Sequence, residues 1–284
     1  MAHALSLPLA FTITPQSGGS PNADSIDSIY KITLIFALVI FALVEVALAY
    51  ALLRYRARKG AVAAQIRGNT RLELGWTFGA VAVLFVLAVI TFVKLSGIIN
   101  PPSSSAEGER ALGDSGGALY ATAERRLPPS GKYLEIHVIG RQFLWQYIYP
   151  GGVGREQFAA PYSYEKLVVP TETTVVVNVT SDDVVHGWWI PKLGGKVQAV
   201  PGYHSYTWFK IPGSLAHTVF TGQCANICGR GHARMIAKVE ALPPAQFEAW
   251  LARQRQLIAE ANAEAAKARA KLAARIGAES VEHP

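Results

Sequence analysis

"GQCANICGRGHARM", residues 222–235, holds both cysteines of the chain, Cys224 and Cys228, and its one methionine beyond Met1, Met235, all close to His232. The spacing is Cys-x3-Cys-x3-His-x2-Met. A disulfide between Cys224 and Cys228 would suit an oxidising compartment, but it leaves His232 and Met235 unexplained. Zinc accepts thiolate and imidazole, whereas thioether is a poor zinc ligand; thiolate, imidazole and thioether together are a copper donor set. Two thiolates four residues apart on one loop can bridge a pair of metal ions, which leaves a second imidazole to be found. "SDDVVHGWWIP", residues 181–191, offers His186 at the start of a strand, between an acidic turn and bulky aromatics. His137, His204 and His217 sit in strand-like runs without such a context and read as structural.

The loop lies in a region of short β-branched and aromatic runs. "YLEIHVIG" (133–140), "KLVVP" (166–170), "TTVVVNVT" (173–180), "YHSYTWFKI" (203–211) and "MIAKVEAL" (235–242) are separated by turn residues. They predict a β-sandwich or Greek-key barrel over residues 132–242. From Pro243 the composition turns to Ala, Arg, Lys and Glu, predicting a helical tail over 243–284. Phe247, Trp250 and Leu251 have the spacing to pack on the sandwich, and beyond about Glu260 the helix reads as solvated.

The N-terminal region is of another kind. Ile32–Leu53 is interrupted only by Glu45, and Leu74–Val93 carries no charge. Each is about 20 residues, or about 30 Å of helix, enough to cross a bilayer core. Residues 29–98 therefore read as a transmembrane hairpin. Its connector, 54–71, carries Arg54, Arg56, Arg58, Lys59, Arg67 and Arg71 and no acid, most of the net charge of +7. A short basic connector faces the cytoplasm. The expectation is a multi-pass protein of a bacterial plasma membrane, with its N-terminus, β-domain and C-terminus on the outer, periplasmic or extracellular side. The basic balance thus reports orientation, and no nucleic-acid partner is implied. Residues 1–28 read as an outer tail, since no Lys or Arg precedes their apolar stretch as in a signal peptide. Residues 99–131, rich in Gly, Ser, Pro and Ala, read as a flexible tether. Glu45, at mid-span, should face a partner helix.

Taken in order, the two spans, the basic connector, "DVVHGWWIPKLGGKVQAVPG" and the sulfur loop resemble subunit II of the haem-copper cytochrome c oxidases over about residues 25–252. The resemblance implies a two-helix transmembrane hairpin, an all-β cupredoxin-like Greek-key domain and a C-terminal helical extension. It implies a binuclear copper centre, CuA, held by His186, Cys224, Cys228, His232 and Met235 with the backbone carbonyl of Asn226. Such a subunit accepts electrons from cytochrome c or a similar donor and passes them to haem in subunit I. Oxygen is reduced there to water, coupled to proton translocation, so this electron-transfer subunit is not active alone. Subunit I, subunit III and membrane lipid are the implied partners.

Further positions depart from the family's pattern, match it, or carry roles of their own. Asn226 and Gln198 are neutral where the family commonly has acids, which weakens the case for a magnesium ion at the subunit I boundary. Phe143 stands where the family's first Trp admits electrons, while Trp145 and Tyr147 match its aromatic pattern. Glu73, in "RLELGW", matches the mouth of a proton-uptake channel. Asp182 and Asp183 read as part of a docking surface for a basic cytochrome. The alternatives are a membrane-anchored copper-binding or chaperone protein, or the CuA subunit of a nitric oxide reductase.

Overall fold

A computed structural model describes residues 15–56, 59–60, 62, 64–112, 126–150 and 160–282, with side chains up to residue 275 apart from Ala111. Residues 1–14 of the expected outer tail, Arg58 of the connector and residues 113–125 of the expected tether lie outside the described residues. The chain divides into two compact units, one of residues 1–16 and 25–98 and one of residues 17–24 and 99–284.

The first unit contains most of helix α1 (Pro21–Arg54) and helix α2 (Thr70–Ile99). Apolar residues cover these helices on every side: Leu38, Phe41 and Leu52 on α1, and Leu84, Phe85 and Phe92 on α2, are exposed. A helix without a polar stripe finds no stable place in water, and its internally satisfied backbone suits lipid. Both are long and apolar enough to span a membrane. The protein is therefore membrane-anchored, and the multi-pass expectation narrows to two spans among the described residues. α2 starts on a reciprocal cap. The Leu72 N–H donates to Asn69 Oδ1 at 3.2 Å, and the Asn69 N–H donates to Glu73 Oε1 at 3.2 Å. Such bonds satisfy amides that have no partner inside the helix.

Among the described residues the second unit has ten strands: β1 (Leu134–Arg141), β2 (Leu144–Ile148), β3 (Tyr162–Tyr164), β4 (Lys166–Pro170), β5 (Thr174–Ser181), β6 (His186–Trp188), β7 (Val197–Ala199), β8 (Ser205–Lys210), β9 (Val219–Gln223) and β10 (Ile236–Leu242). They form sheets ordered β3-β2-β1-β5-β8, β4-β10-β9 and β6-β7. The pairs β1–β5 and β4–β10 are parallel and the rest antiparallel. Two-residue alternation turns Leu134, Ile136 and Val138 of β1 and Val175, Val177 and Val179 of β5 into one core, with Leu167, Val169, Val239 and Phe209. This is the expected cupredoxin-like β-domain.

Two stretches expected to be loose are docked in this unit. Asn22 Nδ2 donates to the Trp208 carbonyl at 2.6 Å, and the Lys210 N–H donates to Ser20 Oγ at 3.1 Å. These side chains serve backbone groups of β8, the edge strand of its sheet. The start of the expected tether is likewise fixed: the Thr174 N–H donates to Ser104 Oγ at 3.0 Å, and Thr174 Oγ1 donates to the Pro102 carbonyl at 2.5 Å. Ser105 then caps a short helix, α3 (Ala106–Ala111), accepting from the Gly108 N–H at 3.2 Å.

The last element is helix α4 (Pro244–Glu282). Its start is fastened by rings, with Tyr149 centroids 6.3 Å from Phe247 and 5.1 Å from Trp250. The same Tyr149 hydroxyl accepts from the Val168 N–H at 2.8 Å and donates to the Val168 carbonyl at 2.9 Å. Replacing Tyr149 by Phe would keep the ring and leave both buried backbone groups without a partner, at a cost of about 1–3 kcal/mol. Tyr149→Phe is therefore expected to lower the thermal unfolding midpoint of the detergent-solubilised chain, by about 2–4 °C per kcal/mol. Circular dichroism of the β signal checks it.

Candidate metal centre

Backbone pairing brings the donor-bearing segments together. β9 and β10 pair up to Gln223 opposite Ile236, and the Cys224 N–H donates to the Met235 carbonyl at 2.9 Å, closing the loop between them. A single 3-10 turn, His232–Arg234, returns the chain to β10. The loop base is then tied to the strand that begins at His186: the Ala225 N–H donates to the Gly187 carbonyl at 2.9 Å and the Gln223 N–H to the Trp189 carbonyl at 3.2 Å. Gly222 permits this approach, because a side chain there would run into the Trp189 carbonyl.

The side chains converge as a result. The two sulfurs, Cys224 Sγ and Cys228 Sγ, are 3.8 Å apart and unbridged. His186 Nδ1 lies 3.9 Å from Cys224 Sγ, His232 Nδ1 3.6 Å from Cys228 Sγ, and Met235 Sδ 4.0 Å from Cys228 Sγ. The Asn226 carbonyl oxygen is 3.2 Å from Cys224 Sγ. His186, Cys224, Cys228 and Met235 are buried, while Asn226 and His232 are half-buried. The ligand atoms of His186, Cys224 and Cys228 all fall within 4.8 Å of one another. Burial, with Cys224 next to it, pushes the Cys228 thiol up to about 11. Two thiols, two imidazoles, a thioether and a carbonyl around one small volume suit soft transition-metal ions, so the residues fit the metal the sequence implies.

His186 is also held from behind. Its Nε2 is 2.8 Å from Asp183 Oδ1, which leaves Nδ1 turned to the sulfurs. Burial opposes ionisation of Asp183, but hydrogen bonds from His186 and the backbone of Gln142 and Val184 outweigh it and hold the carboxyl at about 2. This is the orienting carboxylate that ligand imidazoles commonly use. Asp183 serves His186, and Asp182 is paired with Arg141, whose Nη2 and Nε lie 2.6 and 2.7 Å from its Oδ2.

The other sequence candidates sit at different distances from this centre. The Trp145 ring is fully buried against His186, centroids 5.8 Å apart at 66°. Phe143 packs over Gly229 and Gly231 of the sulfur loop. Tyr147 is buried in the core, where burial raises its pKa. Gln198 is exposed on β7 opposite Gly187. Glu73 is exposed and engaged in the α2 cap, and Glu45 is exposed on α1. His137 pairs with Glu135 at 4.0 Å, and His204 Nδ1 meets Asn178 Oδ1 at 2.8 Å; both lie outside the centre, as does His217. A cavity of about 480 Å³ opens beside the donors, lined by Trp189, Lys196, Gln223, Cys224, Ala225, Ile227 and His232.

Removing an orienting carboxylate behind a metal-bound imidazole commonly costs about 10–100-fold in affinity. Asp183→Ala should lower the affinity of the centre for copper by that factor, with the β-domain still folded. Competition with a chelator of known affinity measures it, and an unchanged affinity would contradict the positioning role.

The family described as "Cytochrome C oxidase subunit II, periplasmic domain" matches residues 134–242, and "Cytochrome C oxidase subunit II, transmembrane domain" matches residues 8–93. Cytochrome c oxidase subunit 2 of Alkalihalophilus pseudofirmus is 29% identical over 262 residues, 86% of this chain and 66% of that protein. The namesake from Cereibacter sphaeroides is 28% identical over 258 residues, 85% of this chain and 82% of that protein. The periplasmic domain of subunit II of cytochrome oxidase (CoxB) of Bradyrhizobium japonicum is a similar solved structure, with 27% identity and a TM-score of 0.39 over 44% of this chain and 95% of that one. With both domains matched in order along one chain, the protein belongs to the cytochrome c oxidase subunit II family.

Proposed function

We propose that the protein is the electron-accepting subunit of a terminal haem-copper oxidase, taking electrons from cytochrome c at a binuclear CuA centre and passing them to haem in subunit I. The observation that carries this is the cluster of buried Cys224, Cys228, His186 and Met235 with half-buried His232, its two cysteine sulfurs 3.8 Å apart and free of a disulfide. Copper held there would supply one-electron transfer at a potential tuned by its soft donors.

The chain's own residues supply the rest. Cys224 and Cys228 present two sulfurs from one closed loop, near enough to be shared between two ions. His186 and His232 present Nδ1 from opposite ends of the sulfur pair, and Met235 adds a weak donor beside Cys228. Asn226 offers its backbone carbonyl, a role its side chain does not affect. The packed strands hold these donors in one geometry, so little has to move when the charge changes. Phe143, over the sulfur loop, and Trp145, against His186, are the rings through which electrons would reach the centre. With neutral Asn226 and Gln198 in place of acids, magnesium is not expected to bind tightly.

The basic connector sets the β-domain on the outer side of the membrane. Glu73 would then lie near the inner face, where proton uptake by a partner subunit begins. Subunits I and III, cytochrome c and membrane lipid are the partners of this reading.

Copper content and electron paramagnetic resonance of the full-length chain in detergent test it. Two coppers per chain with one unpaired electron shared over both nuclei are expected for the wild type. Cys228→Ser should abolish the shared signal and leave at most one copper with a localised spectrum. A wild-type chain that instead holds no copper pair, or carries a Cys224–Cys228 disulfide, would overturn the reading.

A further inference from the structure

The turn between β1 and β2 touches both segments that carry the donors, and it does so through one residue. The Gln142 N–H donates to Asp183 Oδ2 at 2.7 Å, while Asp183 Oδ1 meets His186 Nε2 at 2.8 Å. The Gln142 side chain reaches the other way, with Nε2 donating to the Cys228 carbonyl at 2.6 Å. A continuous path of three hydrogen bonds therefore links the imidazole of His186 to the backbone of Cys228, independent of the strand pairing at the loop base.

The turn itself is held firmly enough to act as a brace. Arg141, one residue earlier, is fixed between Asp182 and the Gln146 Oε1, 2.5 Å from Nη1. Phe143, one residue later, packs against Gly229 and Gly231, and a side chain at Gly231 would collide with its ring. The two glycines let the turn sit directly on the loop between Cys228 and His232.

We propose that Gln142 is a positioning residue, bracing the His186 segment and the sulfur loop against each other through its backbone and side-chain amides. This rests on the copper reading above and deepens it. The strand pairing sets where the sulfur loop begins and ends, whereas Cys228 lies in its middle, four residues from Cys224 and seven from Met235. Without the Gln142 amide the Cys228 carbonyl would turn to water and the peptide could rotate, carrying Sγ with it. Gln142 is exposed, so its replacement disturbs the loop without opening the core.

The test uses the full-length chain loaded with copper. Gln142→Met keeps the length of the side chain and removes the donor; Gln142→Lys keeps a donor on a chain long enough to reach the same carbonyl. One hydrogen bond of ordinary net worth predicts that Gln142→Met releases copper to a chelator about three- to tenfold faster than wild type. Its copper hyperfine splitting should also change, and Gln142→Lys should lie nearer wild type in both. Unchanged release with an unchanged spectrum overturns the brace, as does an equal effect from Gln256→Met on exposed α4. Should Gln142→Met not fold, Gln142→Asn, one methylene too short, takes its place with the same expectations. If the wild type holds no copper pair, the copper reading fails by itself and the brace is read in the metal-free chain. Alkylation of Cys224 and Cys228 is then expected to be faster in Gln142→Met than in wild type, and equal rates overturn the proposal.

Discussion

Two backbone hydrogen bonds, from the Ala225 N–H to the Gly187 carbonyl and from the Gln223 N–H to the Trp189 carbonyl, tie the segment carrying the sulfurs to the segment carrying His186. Cys224 and His186 are 38 residues apart in sequence, and closing such a loop for a metal alone would cost conformational entropy at each loading. The β-domain meets that cost when it folds. β1 and β5 form the floor, β9 and β10 hold the ends of the sulfur loop in register, and β6 sets His186 against it. Gly222 is the steric condition for the arrangement, since its missing side chain is what admits the Trp189 carbonyl.

Bringing six donors together in a dry volume has an electrostatic consequence. Burial favours the neutral thiol, and the second sulfur at 3.8 Å adds repulsion between thiolates, which is why Cys228 is pushed up to about 11. A cation reverses that balance, because it neutralises the thiolates where they stand. Asp183 works differently. It is held ionised near the surface by hydrogen bonds from His186 and from the backbone amides of Gln142 and Val184, and its charge serves to fix the His186 ring rather than to bind an ion. Negative charge at the centre is thus split between a latent pair that waits for metal and a permanent carboxylate that sets geometry.

The parts legible in the sequence were those with strong local statistics. Two apolar runs of helical length, alternating valines in β5 and a sulfur cluster in a chain with two cysteines and two methionines need no tertiary knowledge. β3 and β7 are three residues each, too short for periodicity to register, β6 showed only as the strand expected to start at His186, and the aromatics of β2 drew attention as a motif rather than a strand. Residues 17–24 read as part of an outer tail, and 99–112 as part of a tether by composition. Their order comes from hydrogen bonds to backbone groups on the edge of β8 and to Thr174, which only the folded sheet reveals. Asp182 and Asp183 were indistinguishable in sequence. The Ser181 hydroxyl and the Val184 amide curl the backbone about Asp183 and turn it inward, leaving Asp182 to Arg141.

The two imidazoles of the centre have unlike surroundings. His186 is fully buried, backed by Asp183 and the Trp145 ring, in the rigid interior of the domain. His232 is half-buried on the wall of the 480 Å³ cavity, whose rim carries Ile227 at 91% exposure. A large aliphatic side chain standing almost wholly in water gains nothing in the isolated chain, but it gains apolar contact when another surface covers it. The sulfur pair between the histidines is then the short path from a braced interior to a face suited to being covered.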